Sequence, residues 1–138
     1  MVFSLLVSLL ALVVAGYLAS YVLRQDRGTP EMRAISDAIR EGAEAFLRRQ
    51  YRTIGIMTIS LAAVMFICYG LSRSWELSLK TTFAFLLGAG CSALSGYIGM
   101  YISIRANVRT ASAARTSLAQ ALIIAFRGGA VSGVTVVA

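Results

Sequence analysis

The sequence predicts an all-α, polytopic transmembrane helix bundle, with three full spans and the start of a fourth, as part of a larger multi-span bundle. Composition is the first reason: 58% of the residues are hydrophobic and only 14% are charged, whereas soluble domains carry about 25% charged residues. The mean hydropathy of +0.76 is the second. The third is that charged residues cluster between long uncharged segments. Together these features place the chain among membrane proteins.

Four segments are apolar enough to be spans. The predicted spans are residues 1–23, 54–71, 81–104 and 118–138. A helix rises about 1.5 Å per residue and must cross roughly 30 Å of hydrocarbon, which these lengths approach or exceed. The fourth segment contains Arg127, and the sequence stops inside it at Ala138. Because a free carboxylate is costly at membrane depth, we expect these residues to be the N-terminal part of one longer integral-membrane domain.

The distribution of basic residues predicts the orientation. Seven, two and three basic residues lie in the loops at 24–53, 72–80 and 105–117. Basic residues favour the cytoplasmic side, so the first and third loops are expected inside and the N-terminus outside. Arg24 and Arg27 follow the first apolar segment instead of preceding it, which favours an uncleaved span over a signal peptide. Trp75, in the short outer loop, suits an interfacial anchor.

Residues 30–53 are predicted to be a cytoplasmic, amphipathic helical extension of the second span. Thr29 can cap the helix, Pro30 fits its first turn and Glu31 suits the positive end of its dipole. Apolar residues then recur at helical spacing, with charged residues largely on the other side. Because no strong breaker follows, we predict one continuous helix from about Pro30 to Leu71.

Small residues at four-residue intervals predict close contacts between helices. They are Ala11, Ala15 and Ala19 in the first span, Gly88, Ser92, Ser95, Gly96 and Gly99 in the third, and Gly129 and Gly133 in the fourth. Such residues let two helix backbones approach closely. The three complete spans offer too few partners for all these faces, which again favours a larger bundle.

No pattern of residues indicates a catalytic, cofactor-binding or metal-binding site, and we assign no residue to any of these roles. The sequence has no His, and Cys68 and Cys91 lie in apolar segments without metal-ligand spacing. Glu41 and Glu44 could share a helix face, but arginines surround them, and Glu44 is well placed to pair with Arg48 on a solvated surface. Nucleic-acid binding is excluded because the arginines flank apolar segments without a groove-reading motif.

Arg127 is the one charged residue well inside an apolar segment. An ionisable residue within a span is a functional candidate, and a role in an ion or phosphate path is one interpretation. Arg127 also lies near the cytoplasmic end of its segment, where a long side chain can reach the interface. Structural pairing or snorkelling is the favoured interpretation.

Two stretches of the sequence carry a family resemblance. They are AIREGAEAFL at 38–47 with RQY at 49–51, and FLLGA at 85–89 followed by SGYIGM at 95–100, NVRTA at 107–111 and AFRGGAV at 125–131. In this order they resemble the N-terminal region of the membrane-bound, ion-translocating inorganic pyrophosphatases. The resemblance covers roughly residues 30–138, while the first span is similar only in placement and character.

The resemblance implies that the full-length protein is an enzyme, an ion-translocating inorganic diphosphatase that couples hydrolysis of cytoplasmic pyrophosphate to outward movement of H⁺ or Na⁺. It implies Mg²⁺ as cofactor and a homodimer. The family's substrate site lies on later helices, so pyrophosphate and Mg²⁺ are expected to bind residues outside this chain, which alone should be inactive.

The partners expected for this chain itself are the lipid bilayer and the rest of its own bundle. The absence of a long insertion between the second and third spans favours a prokaryotic plasma (inner) membrane. The alternative function is a small non-enzymatic multi-span membrane subunit or scaffold, complete at 138 residues. An ordinary secondary transporter is a weaker alternative, because the first three spans carry almost no polar groups at mid-membrane.

Overall fold

The computed structural model describes residues 2–72 and 75–138, and these residues form four α-helices. The helices are α1 (Val2–Leu23), α2 (Pro30–Ser72), α3 (Trp75–Ala114) and α4 (Leu118–Val137). Each is long and apolar enough to cross a membrane. The predicted all-α class with four candidate spans is therefore confirmed. The outside position predicted for Met1, and the loop charge predicted at Arg73, concern residues outside the described ones.

The start of α2 is formed by the local residues that predict it. The backbone N–H of Met32 donates to Thr29 Oγ1 at 3.4 Å, which caps the first turn. Hydrogen bonds from the backbone N–H of Glu31 and from the Thr29 hydroxyl lower the pKa of the Glu31 carboxyl. Gly28 precedes the cap with φ +75°, a conformation that glycine adopts at little cost. The single continuous helix predicted from Pro30 is confirmed.

The helices extend beyond the uncharged segments of the sequence. α3 begins at Trp75, inside the predicted 72–80 loop, and continues to Ala114, through most of the predicted 105–117 loop. Glu76 and Lys80, which both belong to that first predicted loop, form an ion pair of 2.6 Å along α3. Helix continuation satisfies backbone hydrogen bonds whether the side chains are charged or apolar, so the end of an uncharged segment does not mark the end of a helix.

The contacts group the chain into two compact units, which are described separately. The second unit is Ala45–Leu94, the first Met1–Glu44 with Ser95–Ala138. In the second unit α2 and α3 run antiparallel: Tyr51 Oη donates to the carbonyl of Ala93 at 2.7 Å, and Ser78 Oγ donates to that of Phe66 at 2.6 Å. The ring of Trp75 packs on Phe66, with centroids 5.7 Å apart.

In the first unit, α1 packs against α4. Val22, Ala106 and Ile124 form a buried apolar cluster that brings together α1, α3 and α4. α3 approaches α4 closely at two glycines. A Cβ on Gly99 would collide with the side chain of Ser132, and a Cβ on Gly128 would lie 2.9 Å from the Cβ of Ala106.

The predicted small-residue contacts are therefore confirmed only in part. Ala15 is 5% exposed, and Gly99 lies at a helix contact. A Cβ built on Gly88, Gly129 or Gly133 would meet no atom within 4 Å in the described part of the chain, so packing at those three positions stays a prediction. On α4 the contact residue is Gly128, because four-residue spacing does not by itself select which face of a helix meets its neighbour.

Candidate functional site: the arginine junction at the end of α1

Arg109 joins α3 to the C-terminal end of α1. It is 8% exposed, and its guanidinium donates to the carbonyls of Leu23 at 2.9 Å, Gln25 at 3.2 Å and Arg105 at 2.7 Å. The carbonyls at a helix C-terminus lack partners within the helix, and a cation there also meets the negative end of the helix dipole. Gln25 Nε2 donates locally to the carbonyl of Tyr21 at 3.2 Å, and Arg109 adds, from a distant part of the sequence, donors for the carbonyls of Leu23 and Gln25.

The surroundings of Arg109 are positively charged. Burial lowers the pKa of its guanidinium, and the charges of Arg27 and Arg105 lower it further; the residue lies beyond the predicted span 81–104. The guanidinium nevertheless stays charged, since arginine does not deprotonate in proteins. Neither Arg105 nor Arg109 pairs with an acid among the residues that the structure describes. The junction therefore holds fixed positive charge with little local compensation.

The acidic residues near the junction already have basic partners. Asp37 lies 2.8 Å from Arg27 and 3.8 Å from Arg40. Glu44 lies 3.5 Å from Arg40, and within the described ranges it forms no pair with Arg48, so the predicted Glu44–Arg48 pair is wrong. An ion pair four residues apart on a helix contributes only about 0.2–0.5 kcal/mol. Arg40 already lies beside Asp37, and this small additional interaction is enough for Glu44 to pair with Arg40 instead of Arg48.

Arg127 has an aromatic partner. Its guanidinium carbon lies 3.9 Å from the centroid of the Tyr21 ring on α1, and Tyr21 itself packs against the buried cluster around Val22. A cation over a ring face is stabilised by about 0.5–2 kcal/mol, more when water is excluded. This contact favours the structural interpretation of Arg127. The sequence could not identify Tyr21 as the partner of Arg127, because Tyr21 lies on α1, far from Arg127 along the chain.

The described residues of this chain do not fit a Mg²⁺ site. Within residues 2–72 and 75–138 no group of three or more His, Cys, Asp or Glu side chains could hold a metal ion. Mg²⁺ prefers carboxylate oxygens, and those of Asp26, Asp37 and Glu44 lie beside arginines. Cys68 and Cys91 are exposed and free.

Arg109 is the residue whose importance the sequence did not reveal. In the sequence it is one of three basic residues of a predicted loop and part of the NVRTA motif at 107–111, and neither feature predicts its contact with α1. Arg105 and Arg109 are four apart, in a stretch with no acid from 77 to the end of the chain, and this unbalanced pair is the signal that could have marked them.

The comparisons with known proteins agree with this membrane architecture. Residues 9–138 match the family described as Inorganic H+ pyrophosphatase. The chain is 52% identical over 130 residues to the K(+)-insensitive pyrophosphate-energized proton pump 2 of Moorella thermoacetica, a match that covers 94% of this chain and 18% of the relative. It is 46% identical over 135 residues to the K(+)-insensitive pyrophosphate-energized proton pump of Caldanaerobacter subterraneus subsp. tengcongensis, over 93% of this chain and 19% of the relative.

A plant relative is similar to the same degree. The chain is 47% identical over 148 aligned residues to the pyrophosphate-energized membrane proton pump 3 of Arabidopsis thaliana, which covers 99% of this chain and 18% of the relative. The chain thus spans less than a fifth of the length of these relatives. Because the family match extends over nearly all of its residues, this chain belongs to the inorganic H⁺ pyrophosphatase family.

Proposed function

We propose that this chain is the N-terminal portion of a membrane pump that couples hydrolysis of cytoplasmic pyrophosphate to outward translocation of H⁺. The observation that carries the proposal is the family match over residues 9–138. The names of the relatives, which describe pyrophosphate-energized proton pumps, support the substrate and the ion. The N-terminal placement rests on the resemblance of the ordered motifs between residues 38 and 131.

In this proposal the present helices are a scaffold for chemistry that takes place elsewhere in the full-length protein. Pyrophosphate and Mg²⁺ are assigned to residues beyond this chain, which the family resemblance supports. Among the described residues, Asp26, Asp37 and Glu44 lie beside arginines, and no group of three or more acids could hold a metal ion. The contribution of this part is to hold α1, α3 and α4 together. Arg109 joins α3 to α1 by donating hydrogen bonds to the carbonyls of Leu23 and Gln25.

The proposed placement in the membrane follows from the distribution of charge. The N-terminus lies outside, the spans are 1–23, 54–71, 81–104 and 118–138, and the helical extension 30–53 stands in the cytoplasm. The homodimer is what the family resemblance implies, and the prokaryotic plasma membrane rests on the short connection between the second and third spans. A single cysteine placed at Thr116, in a protein from which Cys68, Cys91 and any cysteine outside this chain have been removed, tests the orientation. An impermeant maleimide should label it in inverted vesicles and not in intact cells, and the reverse labelling would contradict the orientation.

The identity of the pumped ion, and whether the pump requires K⁺, are a finer part of the proposal. H⁺ as the pumped ion and independence of K⁺ are supported by the names of the two relatives described as K(+)-insensitive proton pumps. Inverted vesicles should acidify on addition of Mg-pyrophosphate equally in KCl and in choline chloride. A requirement for K⁺, or Na⁺ uptake without acidification, would contradict this part while leaving the hydrolysis intact.

The hydrolysis itself is tested in membranes. Membranes with the protein expressed from its complete reading frame should hydrolyse pyrophosphate in a Mg²⁺-dependent manner, and membranes with residues 1–138 alone should not. Activity in the membranes with the full-length protein, and none in those with residues 1–138, supports the pump and the assignment of its chemistry to residues outside this chain. Inactivity of both, with both proteins inserted, would instead favour the alternative of a non-enzymatic membrane subunit.

A further inference from the structure

We propose that an arginine-lined cavity beside the end of α1 binds a phosphate-type oxyanion, either the headgroup of an anionic phospholipid or free inorganic phosphate. The cavity has a volume of about 90 Å³. Apart from Ile104, its lining is polar or charged: Arg27, Ser36, Asp37, Arg40, Arg105 and Arg109. That volume is well above the roughly 10–15 Å³ that one water needs, so a small tetrahedral anion fits. The inference concerns binding alone and does not depend on the proposed hydrolysis.

The charges around the cavity do not balance. Four guanidinium groups line it against the single carboxylate of Asp37, which is shared by Arg27 and Arg40. Arg105 and Arg109 have no acidic partner in the described part of the chain. Arg109 is buried, while Arg27 and Arg40 are 39% and 44% exposed, so the site is partly open. Positive charges gathered around one cavity repel one another, and a bound anion would reduce that repulsion.

Arg40 provides a second, independent observation. Its Nε is buried and makes no hydrogen bond within the described residues, although Glu44 Oε1 lies 3.5 Å away. Glu44 therefore balances the charge of Arg40 without giving this buried donor a well-formed hydrogen bond, and an unmade hydrogen bond at a buried donor is costly. Guanidinium N–H groups match the oxygens of a phosphate in geometry and in charge, so an oxyanion in the cavity would give this donor an acceptor.

The arginines are also held in place before any ligand binds. Arg109 is fixed by the three carbonyls described above, and the guanidinium carbon of Arg105 lies 3.4 Å from the centroid of the Tyr101 ring. Arg105 Nη1 additionally donates to the carbonyl of Tyr101 at 3.3 Å. Because ordering such long side chains is costly in entropy, a site that is already ordered binds its ligand more tightly.

The test compares variants of the full-length protein purified in neutral detergent and kept free of Mg²⁺ by a chelator. Inorganic phosphate is titrated at constant ionic strength, and the midpoint of thermal unfolding is measured. The double variant Arg40→Ala/Arg105→Ala removes two arginines of the cavity. Arg48→Ala is the matched control, since Arg48 is exposed, lies on the same helix as Arg40 and does not line the cavity.

A second arm distinguishes the two sources of phosphate. The same proteins are placed in nanodiscs of phosphatidylcholine, with or without phosphatidylglycerol, and retained lipid is counted by native mass spectrometry. A saturable response to inorganic phosphate in neutral nanodiscs supports a soluble ion. Retained phosphatidylglycerol without that response supports a lipid headgroup. In either case the double variant should bind at least about tenfold more weakly than the control, which corresponds to about 1.4 kcal/mol.

If neither probe separates the double variant from Arg48→Ala, the proposal is wrong, and the positive charge is balanced by a carboxylate from another segment of the protein. A third variant keeps the test decisive if the double variant fails to fold. Ser36→Glu places a carboxylate at the wall of the cavity and leaves every arginine in place. It should raise the unfolding midpoint without phosphate and abolish the response to phosphate or phosphatidylglycerol. A lower midpoint with an unchanged response would overturn the proposal.

Discussion

Replacing Arg109 with Ala removes the group that joins α3 to the end of α1. Two of its three hydrogen bonds reach α1 and the residues after it, at Leu23 and Gln25, with lengths of 2.9 and 3.2 Å. A hydrogen bond to a charged group contributes roughly 1.5–3 kcal/mol. Because the site is partly open and water can replace the guanidinium, we take the lower end for each bond. The free energy of unfolding should fall by about 3 kcal/mol, about a hundredfold in the equilibrium constant.

The assay is equilibrium unfolding of the full-length protein in mixed micelles, with increasing sodium dodecyl sulfate and tryptophan fluorescence as the signal. Arg109→Lys is the informative companion variant. It keeps the charge near the α1 dipole but replaces a planar fork of donors by a compact ammonium group. Arg109→Lys should therefore recover part of the loss, and the exposed control Arg48→Ala should stay within about 0.5 kcal/mol of the wild type.

Two results would refute this reasoning in different ways. If Arg109→Ala unfolds like Arg48→Ala, the hydrogen bonds to the α1 carbonyls do not stabilise the protein. If Arg109→Lys equals the wild type, the charge alone matters and the planar arrangement of the three guanidinium donors does not.

The remaining predictions concern other contacts of the first unit. Gly99→Ala should cost about 1–3 kcal/mol in the same unfolding assay through the clash with Ser132, and Ser132→Gly in the same protein should restore most of it; no rescue would mean that the clash is relieved elsewhere. Gly28→Ala should cost about 1–2 kcal/mol because of the positive φ, and an unchanged free energy of unfolding would show that this position tolerates a side chain. Arg127→Ala should lower folding yield, measured by size-exclusion chromatography, more than it changes substrate affinity; normal expression with a selective loss of pumping would contradict its structural role. Tyr21→Phe should keep the contact with Arg127, whereas Tyr21→Leu should lose about 0.5–2 kcal/mol, and equal stability of the two would exclude the cation–π contact.

Local sequence signals were sufficient to predict the features that depend on interactions between residues close together in the chain. The start of α2 follows from Thr29, Pro30 and Glu31, whose effects act within one helical turn. The candidate spans follow from runs of apolar residues, since transfer into a bilayer depends mainly on the side chains of the run itself. The ends of α3 were less predictable, because charge marks the expected membrane boundary and the backbone continues as a helix past it.

The sequence by itself determined that the chain is helical, that four segments are apolar enough for a membrane, and, through ordered motifs, which family it belongs to. Only the tertiary structure decided the partners of Arg109 and Arg127, which are the carbonyls at the end of α1 and the Tyr21 ring. The physical reason is distance along the chain. Apolarity and helix capping act within a few residues, whereas these polar contacts join residues from opposite ends of the sequence, and nothing in the spacing of either partner specifies the other.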